Sequence, residues 1–142
     1  MTIASPYRAV QHVYFDDLDA LNLLHNVRYL LFIERARGEL FNALGFRWED
    51  ELAVNPDKYH VIAAHEIAYI ARWTGEGDLA VEITPTKLGN SSFIFDARVC
   101  SLDGKVTYAT ATTRLVRLDP KTNRPCSWSD RFRAAMRGMV PA

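Results

Sequence analysis

The strongest structural signal in the sequence is the stretch Asp17-Leu-Asp-Ala-Leu-Asn-Leu-Leu-His-Asn-Val-Arg-Tyr29, which continues directly into Leu-Leu-Phe-Ile-Glu-Arg-Ala-Arg37. It begins as a short polar turn with two carboxylates and then changes to an amphipathic pattern. From residue 26, apolar residues recur at helical spacing as far as Leu44, and Gly45 is well placed to end a helix. The spacing therefore predicts a long helix over residues 26–44.

This order of residues brings Asp19 close to the N-terminus of the predicted helix. Unsatisfied backbone N–H groups and the helix dipole stabilise a developing negative charge there. A carboxylate beside such a helix end is suited to acyl transfer. Asp19 is therefore a candidate catalytic residue, and a solvated turn aspartate or a helix cap is the alternative. Asn26 has the character of a helix N-cap or first-turn residue, and Asp17 is expected to accept backbone hydrogen bonds in the turn.

Extended segments are predicted on both sides of this helix. They are residues 7–16, 59–73, 79–88, 92–102 and 105–118. Short connections at Gly75-Glu-Gly77, Gly89-Asn90 and Asp103-Gly104 predict that the last four strands follow one another as hairpins in an antiparallel sheet. Pro85 predicts an edge position or a bulge, because proline cannot donate to the sheet. With a short helix near residues 130–136, the chain is expected to form one α+β domain over residues 1–142.

Composition excludes several classes of function. Seventeen acidic and seventeen basic side chains cancel, so there is no electrostatic case for a nucleic-acid partner. No window approaches the ~18 apolar residues of a membrane span, and residues 1–6 carry no leader pattern, so we expect a cytoplasmic protein. Cys100 and Cys126 have no motif spacing and are expected to be unpaired thiols. Serine-hydrolase, nucleotide and dinucleotide motifs are absent from the sequence.

Three short motifs in the opening stretch resemble a known family. D-x-D-A at residues 17–20, N-x-x-Y at residues 26–29 and E-R-A-R at residues 34–37 are similar to the 4-hydroxybenzoyl-CoA thioesterase family of hotdog-fold acyl-CoA thioesterases. Later matches are Ala64-His-Glu-Ile-Ala-Tyr-Ile-Ala71, Gly77-Asp78 and Arg117-Leu-Asp-Pro-Lys-Thr-Asn-Arg-Pro125. The resemblance spans residues 8–127. Where the family has glycine in the turn, this chain has Asn22, which is expected to adopt the left-handed conformation instead.

The resemblance implies a hotdog fold, in which an antiparallel sheet of about five strands wraps around one long central helix. It also implies a homodimer or homotetramer with active sites at the subunit interface. It aligns Asp19 with the family's catalytic aspartate, which acts on an acyl-CoA thioester as nucleophile or general base. The main-chain N–H of Asn26, or of a neighbour such as Val27, would bind the thioester oxygen. His25 would orient water or protonate the leaving thiolate, or it is only a turn histidine packed at the interface.

Further candidates line the expected substrate site. Tyr29 is expected to contribute to the acyl pocket, and Arg72 to meet coenzyme A phosphates or simply to be solvated. His65 is a candidate to line the site from the partner subunit. Glu34 is expected to form an ion pair with Arg35, Arg37 or Arg72 rather than to act as base.

No metal or redox cofactor is expected, because the four histidines are scattered without ligand spacing. The sequence thus predicts an acyl-CoA thioesterase. The alternative is a non-catalytic hotdog module that binds acyl-CoA or an acyl-carrier protein.

Overall fold

The computed structural model describes residues 3–141. Residues 1, 2 and 142 lie outside the described part, and with them the ends of the predicted domain and part of the N-terminal segment that is expected to carry no leader pattern. In chain order the elements are β1 (Tyr7–Val13), α1 (Asn26–Ala43), β2 (His60–Tyr69), β3 (Gly77–Leu88), β4 (Ser92–Cys100), β5 (Thr107–Arg117) and α2 (Asp130–Arg137). The predicted long helix is confirmed to within one residue, and Gly45 follows it with a φ of 90°. The predicted short C-terminal helix is also confirmed.

All five strands form one antiparallel sheet in the order β1-β3-β4-β5-β2. The long helix α1 packs against this sheet, so the predicted hotdog fold is confirmed. The connections at Gly89-Asn90 and Asp103-Gly104 join neighbouring strands, as predicted.

The predicted hairpin at Gly75-Glu-Gly77 is wrong, because β2 pairs with β5 at the far edge and not with β3. The physical reason is that residues 73–75 form backbone hydrogen bonds with a different segment of the chain. They pair with residues 22–24 of the turn before α1, through a bridge from Leu23 to Thr74 and a bond from Gly75 N–H to the Asn22 carbonyl. Gly75 and Gly77 both have positive φ, 74° and 151°, and this shapes a crossing connection instead of a tight hairpin.

Pro85 lies in β3 beyond Ile83, the last residue of β3 that pairs with β1, and it lies at a shift in the pairing with β4, so the prediction of an edge position or a bulge is confirmed. The pairing of β3 with β4 shifts register between Pro85 and Lys87. The shift lets the strand continue past a residue that has no N–H to donate.

The core lies between the inner face of the sheet and one face of α1. The buried helix residues are Tyr29, Phe32, Ile33, Ala36, Arg37, Leu40 and Phe41. Trp128 and Phe132 stack with ring centroids 4.2 Å apart and close the end of the core next to α2. Outside the core face, Glu34 Oε2 lies 3.0 Å from Arg37 Nη2, which confirms the expected ion pair.

Both cysteines are free, as predicted. Over residues 3–141, no helix combines the length and the apolar character that crossing a membrane requires.

Candidate active site

The turn between β1 and α1 holds the Asp19 carboxylate in place. The strand predicted over residues 7–16 ends early, at Val13, because Phe15–Asp17 form a short 3-10 helix that begins the turn. Asp19 Oδ1 then accepts the backbone N–H groups of Leu21 at 2.8 Å and Leu23 at 3.1 Å. Its other oxygen, Oδ2, has no hydrogen bond to any residue among 3–141.

Asn22 and Asp17 shape this turn as the sequence predicts. Asn22 has a φ of 63°, the left-handed conformation that the sequence predicts for it. Asp17 is buried, and its Oδ2 accepts the Tyr14 N–H at 2.9 Å. Arg28 Nε lies 3.6 Å from Asp17 Oδ1. The two aspartates of D-x-D therefore differ. Asp17 is buried and hydrogen bonded, whereas Asp19 Oδ2 has no hydrogen bond to residues 3–141.

Helix α1 begins at Asn26, and its N-cap is His25. The His25 Nδ1 atom accepts the Val27 N–H at 3.3 Å, a role that histidine seldom takes. Asn26 is the first helical residue, which agrees with one of its two expected positions. Its own N–H donates to no residue in the described part of the chain. An unpaired N–H at the positive end of an 18-residue helix is a suitable donor for an oxyanion.

One cleft brings the free carboxylate oxygen and this helix end together. It has a volume of about 350 Å³. Its lining residues are Asp19, Leu23, Leu24, Asn26, Tyr29, Tyr69, Ile70, Ala71, Arg72 and Trp73. Four of the sequence-predicted site residues are among them: Asp19, Asn26, Tyr29 and Arg72.

Three other predicted residues lie outside this cleft. His25 and Val27 line a different cleft, together with Leu18 and Arg28. His65 lies on β2, where its Nδ1 is 2.9 Å from Thr113 Oγ1 of β5. Within one chain, therefore, none of these three side chains lines the cleft that holds Asp19.

Two lining residues, Tyr69 and Trp73, carry no signal in the sequence that would assign them to the site. Tyr69 is the last residue of β2, and its hydroxyl donates to the Asn26 carbonyl at 2.9 Å. Trp73 accepts the Leu24 N–H on its carbonyl at 3.0 Å and donates its indole N–H to Gly75. Both residues reach the site because the segment after β2 crosses the turn before α1, which local patterns do not reveal.

Three aromatic side chains, those of Tyr29, Tyr69 and Trp73, line the cleft. Tyr29 and Tyr69 meet edge to face with ring centroids 5.3 Å apart, and Trp73 meets Tyr108 at 5.2 Å. Burial raises the pKa of Tyr29 above its ordinary value, so its hydroxyl stays neutral at physiological pH. Between residues 3 and 141, no group of three or more His, Cys, Asp or Glu side chains is arranged to hold a metal ion.

Comparisons with known proteins identify the family of the chain. A family model described as the thioesterase-like superfamily matches residues 13–136. The acyl-CoA thioesterase YbgC of Haemophilus influenzae is 25% identical over 123 residues, which are 87% of this chain and 88% of the relative.

Solved structures share the fold. A thioesterase from Thermus thermophilus, crystallised with coenzyme A and zinc, matches with a TM-score of 0.76 and 24% identity over 93% of this chain and 92% of that one. A 1,4-dihydroxy-2-naphthoyl-CoA thioesterase from Synechocystis matches with a TM-score of 0.80 and 15% identity over 93% of this chain and 96% of that one. At these identities the structural matches establish the fold alone.

Proposed function

The chain belongs to the thioesterase-like superfamily and is a thioester hydrolase, and we propose that its substrate is an acyl-CoA hydrolysed in the cleft between Asp19 and the N-terminus of α1. One observation carries the proposal: Asp19, whose Oδ2 has no hydrogen bond to residues 3–141, and Asn26, whose N–H has no partner among those residues, line the same cleft. The similarity to the acyl-CoA thioesterase YbgC supports the choice of acyl group carrier.

In the proposed mechanism, the thioester carbonyl oxygen accepts a hydrogen bond from the Asn26 N–H. The negative charge that develops on this oxygen is stabilised by the donor and by the helix dipole. Asp19 Oδ2 then acts in one of two ways: it attacks the carbonyl carbon to form a mixed anhydride that water cleaves, or it takes a proton from the water that attacks. In both routes the C–S bond breaks, one water is consumed to give the carboxylic acid, and a proton from that water neutralises the departing coenzyme A thiolate.

The remaining cleft residues are proposed to bind the substrate. Tyr29, Tyr69 and Trp73 would offer apolar faces to the acyl group, and Arg72, an exposed residue of the cleft lining, would pair its guanidinium with the coenzyme A phosphates. For His25 we propose a supporting role as the cap of α1, since it lies outside the cleft and binds the Val27 N–H.

We also propose that the chain forms a homodimer or homotetramer through β2. This strand is an edge of the sheet and is ten residues long. Large apolar side chains are exposed along it and just after it, with 45% exposure at Val61, 49% at Tyr69 and 60% at Ile70. A long apolar edge strand is a surface that a second copy can cover, and a partner there would bring its own residues, such as His65, next to the cleft. Light scattering showing a stable monomer at micromolar concentration would exclude this assembly.

A cytoplasmic location is part of the proposal, supported by the two free thiols. Burial raises the pKa of the Cys100 thiol, so this cysteine is poorly reactive.

The direct test of the proposed function is a panel of acyl-CoA substrates with colorimetric detection of free thiol. Turnover of at least one acyl-CoA is expected. If no acyl-CoA is hydrolysed while an acyl-carrier-protein thioester is, the proposed carrier is wrong and the thioesterase class stands.

A further inference from the structure

We propose that Tyr69 is a positioning residue, which holds the backbone donor of the site in place by tying the end of β2 to the first residue of α1. The inference rests on the proposed function, since it concerns the donor assigned there. Its basis is the hydrogen bond from the Tyr69 hydroxyl to the Asn26 carbonyl at 2.9 Å, between residues 43 positions apart in the chain.

The segment that follows β2 frames the cleft at both ends. At one end, the Leu24 N–H donates to the Trp73 carbonyl and the Gly75 N–H donates to the Asn22 carbonyl, each at 3.0 Å. These bonds hold the turn that carries Asp19. At the other end, the Tyr69 hydroxyl bonds the start of α1. Residues 70–73 line the cleft between the two attachments, so Tyr69 fixes the helix end relative to the carboxylate.

The orientation of the Tyr69 ring is set independently of this bond. The ring meets Tyr29 at an interplanar angle of 73° with centroids 5.3 Å apart, and Tyr29 is buried in the first turns of α1. Within a single chain Tyr69 is 49% exposed, and removing only its hydroxyl keeps the ring that a second copy would cover. Its hydroxyl can therefore be removed without leaving a cavity or an unpaired group in the core, which separates positioning from folding.

The bonded carbonyl is part of the amide that links Asn26 to Val27. A hydrogen bond accepted by this carbonyl fixes the plane of that amide and polarises its N–H. It also restricts rotation of Asn26, whose own N–H is the proposed donor. Misplacement of a catalytic group by about 1 Å costs on the order of 10² in rate. Loss of a single positioning contact is therefore expected to lower kcat by about tenfold while KM stays within about twofold.

Tyr69→Phe tests this directly, because it removes the hydroxyl and keeps the ring. Tyr59→Phe is a matched control just before the start of β2, where the Tyr59 hydroxyl donates to Asn123 Oδ1 at 2.6 Å, away from the cleft. We expect Tyr69→Phe to lower kcat with little change in melting temperature and to shift the Val27 amide resonance in a proton–nitrogen correlation spectrum. Tyr59→Phe should leave kcat and this resonance unchanged.

The proposal is overturned if Tyr69→Phe keeps kcat within twofold of wild type, if only KM changes, or if the Val27 resonance does not move. It is equally overturned if both variants lose activity in proportion to melting temperature, which is the signature of a purely structural role. Asp19→Asn is measured in parallel. Full activity in Asp19→Asn defeats the proposed mechanism, whereas the Val27 resonance reports on Tyr69 regardless of that result.

Discussion

Asn26→Pro isolates the proposed oxyanion donor. Proline at the first position of a helix is well tolerated, because its fixed φ suits the helix and its missing N–H is unpaired there in any case. The residue before it, His25, already has φ −61° and ψ 133°, the extended conformation that a following proline requires. The Asn26 N–H has no partner among residues 3–141, so no internal hydrogen bond is lost.

For Asn26→Pro, the expected change in the free energy of unfolding is small and the expected change in kcat is large. The free energy of unfolding should stay within about 1 kcal/mol of wild type, since a compatible proline gains about 0.4–1 kcal/mol from the unfolded chain. The rate should fall by about 10² to 10³, equivalent to about 2.7–4 kcal/mol of transition-state stabilisation, as when one oxyanion donor is removed. Asn26→Ala is the control, because it loses the side chain and keeps the N–H, and it should retain most of the activity.

The assay is kcat by thiol detection, with urea unfolding of the same preparations. Asn26→Pro with near wild-type kcat would refute the reasoning, because the N–H would then have no part in catalysis. An equal loss of kcat in Asn26→Ala would also refute it, by assigning the effect to the side chain.

Two predictions concern stability away from the cleft. Asp57 is buried, and its two carboxylate oxygens accept the N–H and the hydroxyl of Ser129 at 2.8 and 2.5 Å. Arg117 Nε lies 3.8 Å from Asp57 Oδ1. Asp57→Ala should therefore lower the free energy of unfolding, measured in urea, by about 3–5 kcal/mol. The exposed Asp103→Ala is the control, expected to cost at most about 1 kcal/mol, and a similar cost for both variants would contradict the assignment. Burial lowers the pKa of His60 to about 4. The charge of nearby Arg37 lowers this pKa further, and the hydrogen bond to the Asp57 carbonyl raises it. Because the unfolded state binds the extra proton in this range, the free energy of unfolding should fall by about 3 kcal/mol as the pH drops from about 6.5 to 4. A His60→Phe variant whose free energy of unfolding falls equally steeply with pH would contradict this.

Local patterns were sufficient for the elements of the fold but not for all of its connections. The helix of residues 26–44 is predictable because its apolar spacing and Gly45 depend only on neighbouring residues. The pairing of β2 with β5 is not predictable in this way, because β5 lies far along the chain from β2. Gly75 and Gly77 are typical of a hairpin, and only the bonds between residues 73–75 and 22–24 show that they serve a crossing connection.

The same distinction applies to the candidate site. Asp19 and Asn26 are predictable because the turn and the helix start are adjacent in sequence. Tyr69 and Trp73 are not, because a long-range crossing places them in the cleft. His25 as the N-cap also escapes prediction, since an imidazole nitrogen is an uncommon acceptor at that position.

The most direct test of the account is the thioesterase activity of Asp19→Asn. The asparagine Oδ1 atom can still accept the Leu21 and Leu23 N–H groups, so the turn and the melting temperature should be preserved. The amide can neither attack the thioester nor deprotonate water, and kcat is predicted to fall by at least about a hundredfold on the best acyl-CoA of the panel. A folded Asp19→Asn enzyme that hydrolyses this acyl-CoA at near wild-type rate would contradict the account.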